Sequence, residues 1–228
     1  MKTYPVVLSI AGSDCSGGAG IQADIKTISA LGAYAASVIT AVTVQNTRGV
    51  KAVHTVPAEI VQGQIEAVME DLRPDALKIG MVSEPALVKI IAGCLLKYPH
   101  CPIVYDPVMV STSGRKLMAE DAIQLIKEEL FPLTSLITPN LDETEVLTGK
   151  KITTAEAVSA LPTFSRMIVC SPPALRPPLL FFLSFGSLPF FLYYFTKFFI
   201  NFHGLIMYFT CNFLFMFIKF YKNFHSPS

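Results

Sequence analysis

Three separated stretches of this 228-residue chain carry residue types that could do chemistry on a small ligand. The first is Gly12-Ser-Asp-Cys-Ser-Gly-Gly-Ala-Gly20. Glycines at 17, 18 and 20 lack Cβ atoms and let a backbone approach a ligand closely, although the same run also suits a bare strand-to-helix turn. Gly18-Ala-Gly20-Ile-Gln-Ala23 formally matches a G-x-G-x-x-A dinucleotide fingerprint. That fingerprint expects an acid roughly 20 residues on, and no Asp or Glu lies between Asp24 and Glu59. Gly17 is followed directly by Gly18-Ala19 and not by Lys-Ser/Thr, which excludes a Walker-type phosphate loop. The second stretch is Asp106-Pro-Val-Met109, an acid fixed by a proline, able to hold Mg²⁺ through its waters or simply to cap a strand. The third is Thr138-Pro-Asn140-Leu-Asp-Glu143, where Asn140 and Glu143 form either a capping box or a pair facing a hydrated cation beside phosphates.

These stretches share a position relative to the elements around them. Apolar runs at Pro5–Ala11, Ala36–Val44, Ala76–Ile79, Ile103–Tyr105 and Leu136–Thr138 predict strands. Helical spacing predicts helices over Ile21–Leu31, from Pro57 to Leu72, Pro85–Leu96, Glu120–Leu130 and Leu141–Leu147, with Gly32 and Gly149 as stops. A last short helix is expected over Thr153–Leu161. Short strands alternating with longer helices predict an α/β fold, a mostly parallel sheet flanked by helices. In such sheets ligands sit at the carboxyl ends of the strands. The stretches Gly12–Gly20, Lys78–Met81, Asp106–Gly114 and Thr138–Glu143 all follow strands and can converge on one crevice.

Composition divides the chain in two. All 17 acids lie between Asp14 and Glu156, whereas Phe164 onward carries only five basic residues and no acid. Of 17 phenylalanines only Phe131 precedes Leu161. A net charge of +1 with no basic cluster argues against nucleic-acid binding. Five cysteines without paired spacing and four scattered histidines give no metal-binding pattern and suit a reducing, cytoplasmic setting.

Taken together, the motifs resemble those of hydroxymethylpyrimidine/phosphomethylpyrimidine kinases of the ribokinase superfamily. The resemblance rests on Gly12–Thr27, Ser37-Val-Ile-Thr-Ala-Val-Thr-Val-Gln-Asn46, Lys78-Ile-Gly-Met81, Asp106-Pro-Val-Met-Val110 and Thr138–Glu143, in the family's order and spacing, over about residues 4–160. It implies a ribokinase-like fold that phosphorylates the thiamine pyrimidine precursor and its monophosphate with ATP and Mg²⁺. It further implies that Gln45 hydrogen-bonds the pyrimidine edge and that Gly12, Ala19, Met81 and Val108 wall the ring. Asp106, Asn140 and Glu143 resemble the nucleotide and Mg²⁺ side, Asn140 and Glu143 matching the superfamily's Asn-x-x-Glu motif. Cys15 stands where a Ser is common. A homodimer is compatible with this resemblance, and a pyridoxal-type kinase of the same superfamily is the alternative.

The family's second signature, Gly-Thr-Gly-Asp or Gly-Thr-Gly-Cys, builds an anion hole at a helix start. No Gly-x-Gly occurs after Gly20, so no catalytic residue is assigned and the chain is expected to be inactive. Residues 1–163 are therefore read as a partial kinase domain. Residues 164–228 read as a separate Phe-rich tail, including uncharged runs of 18 residues (Leu179–Thr196) and 21 residues (Phe198–Ile218). The tail resembles A/T-rich non-coding DNA translated through a shifted frame or misassigned exon near Thr163. Its rival reading is a membrane anchor, since such runs are long enough to span a bilayer. A pyrimidine-binding or membrane-tethered protein without turnover is the corresponding non-enzymatic alternative.

Overall fold

A computed structural model describes residues 4–98, 101–109 and 118–151. The expected helix over Thr153–Leu161 and the whole tail from 164 lie outside the described residues. Six strands form one sheet: β1 (Val6–Asp14), β2 (Tyr34–Asn46), β3 (Gly49–Thr55), β4 (Ala76–Ile79), β5 (Ile103–Tyr105) and β6 (Leu136–Ile137), in the order β3-β2-β1-β4-β5-β6. All neighbours pair in parallel except β2 and β3, which form an antiparallel hairpin. The helices are α1 (Gly20–Ala30), α2 (Ala58–Asp71), α3 (Pro85–Lys97), α4 (Glu120–Leu125) and α5 (Leu141–Thr148). The mostly parallel sheet flanked by helices is the α/β architecture expected.

The period-two alternation of strands explains both layers. Leu8 and Ile10 of β1 and Leu77 and Ile79 of β4 are wholly buried against Val61 and Ile65 of α2 and Leu87 and Ile91 of α3. Each such side chain contributes on the order of 1.5–3 kcal/mol. Val7, Ala76 and Val104 point the other way and pack with Ile28 of α1. On that same face, where apolar residues belong, stand Ser9, Asp24 and Lys78. The Lys78 ammonium lies 3.2 Å from Asp24 and 3.5 Å from Asp106, and Ser9 donates its hydroxyl proton to Asp24. Asp24 and Lys78 are almost fully buried. One ion pair thus pins α1 to the middle of the sheet.

Three elements depart from the sequence expectation. Strand β3 is not expected from sequence, because Lys51 and His54 interrupt its apolar pattern and none of its residues is buried, as befits an outer edge. Its signal was the two-residue turn Thr47-Arg48, where Arg48 N–H donates to the Asn46 side chain at 2.9 Å. Strand β1 continues past Ala11 to Asp14, so part of the glycine-rich stretch is strand. The helix expected over Glu120–Leu130 is α-helical only to Leu125 and continues as a wider π-type turn over Ile126–Leu130.

The turn into α1 depends on glycine for a steric reason. Gly20 has φ +56°, and a Cβ there would lie 2.2 Å from the Gly12 carbonyl oxygen. Gly63, inside α2, has nothing within 4 Å of its Cβ position. Gly20→Ala is expected to lower stability by more than about 2 kcal/mol, since clash and backbone strain add. Gly63→Ala should raise it by about 0.5–1 kcal/mol through helix propensity. Denaturant midpoints of the two variants check this; a tolerated Gly20→Ala would contradict the turn geometry.

Candidate functional site

The strand order places a topological switch between β1 and β4, since the chain leaves β1 toward β2 on one side and later returns to β4 on the other. The crevice at such a switch is where open α/β sheets bind ligands. The glycine loop after β1 and the Lys78–Met81 segment at the end of β4 border it.

Asp14 organises the glycine loop. Its carboxylate accepts from the Ser16 N–H at 2.8 Å, the Ser16 hydroxyl at 2.7 Å, the Gly18 N–H at 3.0 Å and the Ala19 N–H at 2.8 Å. Burial alone would raise its pKa, but these donors outweigh that and hold it below the ordinary carboxylate range. Ala19 is thereby fixed through its amide. The loop is tied to α1 by Gln22, which bridges the Asp14 N–H and the Ser13 hydroxyl at 2.8 and 2.7 Å.

Gly12 and Met81 meet directly: a Cβ on Gly12 would lie 2.5 Å from the Met81 methyl. Thr40, wholly buried on β2, donates to the Met81 carbonyl at 2.7 Å and fixes that residue. Gln45 sits near the end of β2 beside the glycine loop. Its carbonyl accepts from the Cys15 thiol at 3.0 Å, and its side-chain oxygen lies 3.1 Å from the Thr43 hydroxyl. Gly12, Ala19, Gln45 and Met81 therefore all border the glycine loop. Val108 lies on the turn after β5, where its N–H donates to the Asp106 carbonyl at 2.8 Å.

The second group lies across Lys78. Asp106 follows β5 directly, and its N–H donates to the Ile79 carbonyl at 2.8 Å, which fixes it beside β4. Asn140 and Glu143 form a capping box at the start of α5: the Asn140 N–H donates to Glu143 at 2.8 Å and the Glu143 N–H to Asn140 at 2.9 Å. The capping-box reading of this pair is met, and the cap leaves Glu143 only 4% exposed. Burial, then the nearby Asp106 charge, pushes its pKa up to about 8 against hydrogen bonds from the Asn140 and Met109 amides. Burial and the charges of Asp106 and Glu143 also push the Tyr105 phenol up.

Asp106 and Glu143 thus crowd each other beside Lys78, and Glu143 relieves the repulsion by holding its proton; a bound cation would relieve it instead. Among the described residues no group of three or more His, Cys, Asp or Glu could enclose a metal. Two carboxylates nonetheless suit Mg²⁺, which keeps several waters and takes its remaining ligands from phosphates. Sequence reasoning placed Lys78 only within a motif and gave Asp14, Asp24, Thr40 and Thr43 no role. A lysine inside an apolar strand was the available signal for the first. An open cleft of about 420 Å³ between the end of β3 and the starts of α2 and α3, lined by Thr55, Pro57, Glu84 and Leu87, contains none of these residues. Among the described residues no helix is long and apolar enough to cross a membrane.

The model of the phosphomethylpyrimidine kinase family matches residues 14–168. The hydroxymethylpyrimidine/phosphomethylpyrimidine kinase of Rhizobium meliloti (strain 1021) is 55% identical over 155 residues, which cover 68% of this chain and 58% of that protein. A crystal structure of phosphomethylpyrimidine kinase from Clostridium difficile 630 superposes with a TM-score of 0.64 at 49% identity, covering 68% of this chain and 69% of that one. Pyridoxal kinase from Staphylococcus aureus in complex with AMP-PCP and pyridoxal gives 0.60 at 30% identity, covering 69% and 56%. The chain thus spans a little under three fifths of the length of the curated Rhizobium protein. With the family model covering more than half of the sequence and a relative 55% identical over 68% of it, the chain belongs to the phosphomethylpyrimidine kinase family.

Proposed function

We propose that residues 4–151 form the pyrimidine-binding and phosphate-facing part of a kinase acting on 4-amino-5-hydroxymethyl-2-methylpyrimidine and its monophosphate in thiamine biosynthesis. The observation that carries this reading is the pairing of two unlike walls across Lys78. One wall is the glycine loop with Gly12, Ala19, Gln45 and Met81, shaped for a flat polar ring. The other is the carboxylate pair Asp106 and Glu143, suited to a cation and phosphates, with Val108 on the turn beside it. The Staphylococcus neighbour carries an ATP analogue and pyridoxal, which supports ATP as phosphate donor. Higher identity to pyrimidine kinases than to pyridoxal kinase favours the pyrimidine ring.

In this reading Gln45 offers a side-chain donor and acceptor to the ring edge, while Met81 and Gly12 set the width of the slot. Asp106 and Glu143 would hold Mg²⁺, with Asn140 setting the position of Glu143 and facing the nucleotide. The ion would supply neutralisation of charge on the transferring phosphoryl group. The Gly-Thr-Gly element that would line an anion hole is absent from the sequence after Gly20. The proposal for these 228 residues is therefore ligand binding without phosphoryl transfer. Cytoplasmic placement and a homodimer remain part of the proposal on family grounds.

Titration calorimetry of the full chain with the hydroxymethylpyrimidine is expected to show saturable binding. Gln45→Ala should weaken it by about 1–3 kcal/mol, the cost of leaving polar ring atoms unpaired. With Mg-ATP present no phosphorylated product should form, since even one lost oxyanion donor costs on the order of 10²–10³ in rate. Equal affinity in the variant, or turnover like that of an intact kinase, would contradict the proposal.

Glu143 adds a pH signature. Its folded pKa, about 8, stands above the ordinary 4.5. The folded state therefore holds the proton more tightly than the unfolded state. The associated stability is fully present below the ordinary value and is lost as pH rises through about 8. Unfolding midpoints measured from acid to mildly alkaline pH should fall across this window, and Glu143→Gln should remove that part of the slope. An identical slope in the variant would show that the carboxyl ionises freely.

A further inference from the structure

Gln45 is held to the glycine loop at two levels. Its backbone carbonyl accepts from the Cys15 thiol at 3.0 Å, and its N–H donates to the same sulfur at 3.5 Å. These contacts fix the main chain but not the side-chain amide. The side chain meets one partner, the Thr43 hydroxyl, at 3.1 Å from its oxygen. Among the described residues the Gln45 side-chain nitrogen has no hydrogen-bond partner, so it is the end left for a ligand. Thr43 itself is 6% exposed and lies 2.9 Å from the Ser13 carbonyl.

The local strand geometry places these groups. Ala11 pairs with Ile39 but Ser13 with Val42, so β2 carries one extra residue opposite Gly12. Beyond this bulge Thr43 and Gln45, two apart, share one face of β2 and turn toward the loop, while Val42 and Val44 face outward and are about half exposed. Thr43 is β-branched and stiff about its first side-chain torsion in a strand. Its single hydroxyl can donate to the Gln45 oxygen. It can also donate to Ser13 while accepting from the Gln45 amide turned end for end. Either way the same oxygen holds the amide, and the opposite end faces the crevice.

We propose that Thr43 is the positioning residue for Gln45: its hydroxyl, held beside the Ser13 carbonyl, aims the Gln45 amide at the ring edge of a bound heteroaromatic. This rests on the proposed pyrimidine site. The hydroxyl acts as a pivot rather than a lock. A ring edge that presents an acceptor and one that presents a donor can both be met by Gln45, at the cost of a turned amide and of moving the Thr43 hydroxyl proton between the Gln45 oxygen and the Ser13 carbonyl.

The experiment measures affinity of the full chain for 4-amino-5-hydroxymethyl-2-methylpyrimidine in Thr43→Val, Thr43→Ser and Gln45→Ala, together with the Gln45 side-chain amide signals by NMR. Thr43→Val keeps the shape and removes the hydroxyl, and is expected to weaken binding about fivefold to tenfold, the worth of one hydrogen bond. It should also broaden or shift the Gln45 amide pair. Thr43→Ser should restore both the signals and an affinity within about threefold of wild type. Loss of affinity in Gln45→Ala with none in Thr43→Val would overturn the inference and leave the pyrimidine site standing. Equal losses in Thr43→Val and Thr43→Ser would overturn it too, because the β-branch rather than the hydroxyl would then matter. No loss in Gln45→Ala would overturn both this inference and the site on which it rests.

Discussion

A buried ammonium between two carboxylates is the constraint from which the crevice follows. Taking charges out of water costs several kcal/mol per ion, and such clusters seldom stabilise a fold relative to apolar packing. Lys78 stands in a four-residue strand whose every residue is buried, where an aliphatic side chain would serve the core better. Its placement makes sense through what it joins. Asp24 belongs to α1, the helix that carries the glycine loop at its start, and Asp106 directly follows β5 on the other side of β4. The elements on either side of β4 are thus held to one cation. Gly80, two residues on, would bring a Cβ to 3.0 Å from the Lys78 nitrogen and the Ala11 methyl, so the ammonium also dictates the residue that follows it.

Charge balance then decides the character of each wall. Around the glycine loop the Asp14 carboxylate is fully occupied by hydroxyl and amide donors, so the loop presents backbone and small side chains rather than charge. Across Lys78 the balance is reversed. Asp106 already draws on the ammonium, and Glu143 is buried close enough to feel the charge of Asp106 and to retain its proton near neutrality. In the proposed reading one wall takes a neutral ring and the other a cation with its anionic ligands.

Much of this was legible in the residues. The alternation of short apolar runs with helical spacing predicts the sheet, and the motifs do stand at the carboxyl ends of its strands. The Asn140-x-x-Glu143 spacing announced its capping box. What was hidden depends on tertiary proximity. Strand β3 gains its place by pairing with β2 and not by its own pattern, so Lys51 and His54 obscured it. The raised pKa of Glu143 requires knowing that Asp106 lies beside it, 37 positions earlier in the chain. Thr40 and Thr43 look like ordinary strand residues until the bulge opposite Gly12 sets which way they face. The change of composition after Leu161 is visible in sequence alone, and the residues beyond 151 lie outside the described structure.

The claim that one cation holds both walls is tested most directly by a double-mutant cycle on stability. Asp24→Asn and Asp106→Asn, singly and together, are measured by denaturant unfolding in wild-type and Lys78→Met backgrounds. The account predicts a coupling energy of about 0.5–3 kcal/mol between the two carboxylates in the wild-type background, as for residues that share one partner. It predicts that this coupling vanishes once Lys78 is replaced. Changes that add within about 0.5 kcal/mol in the presence of Lys78, or a coupling that survives its removal, would contradict it.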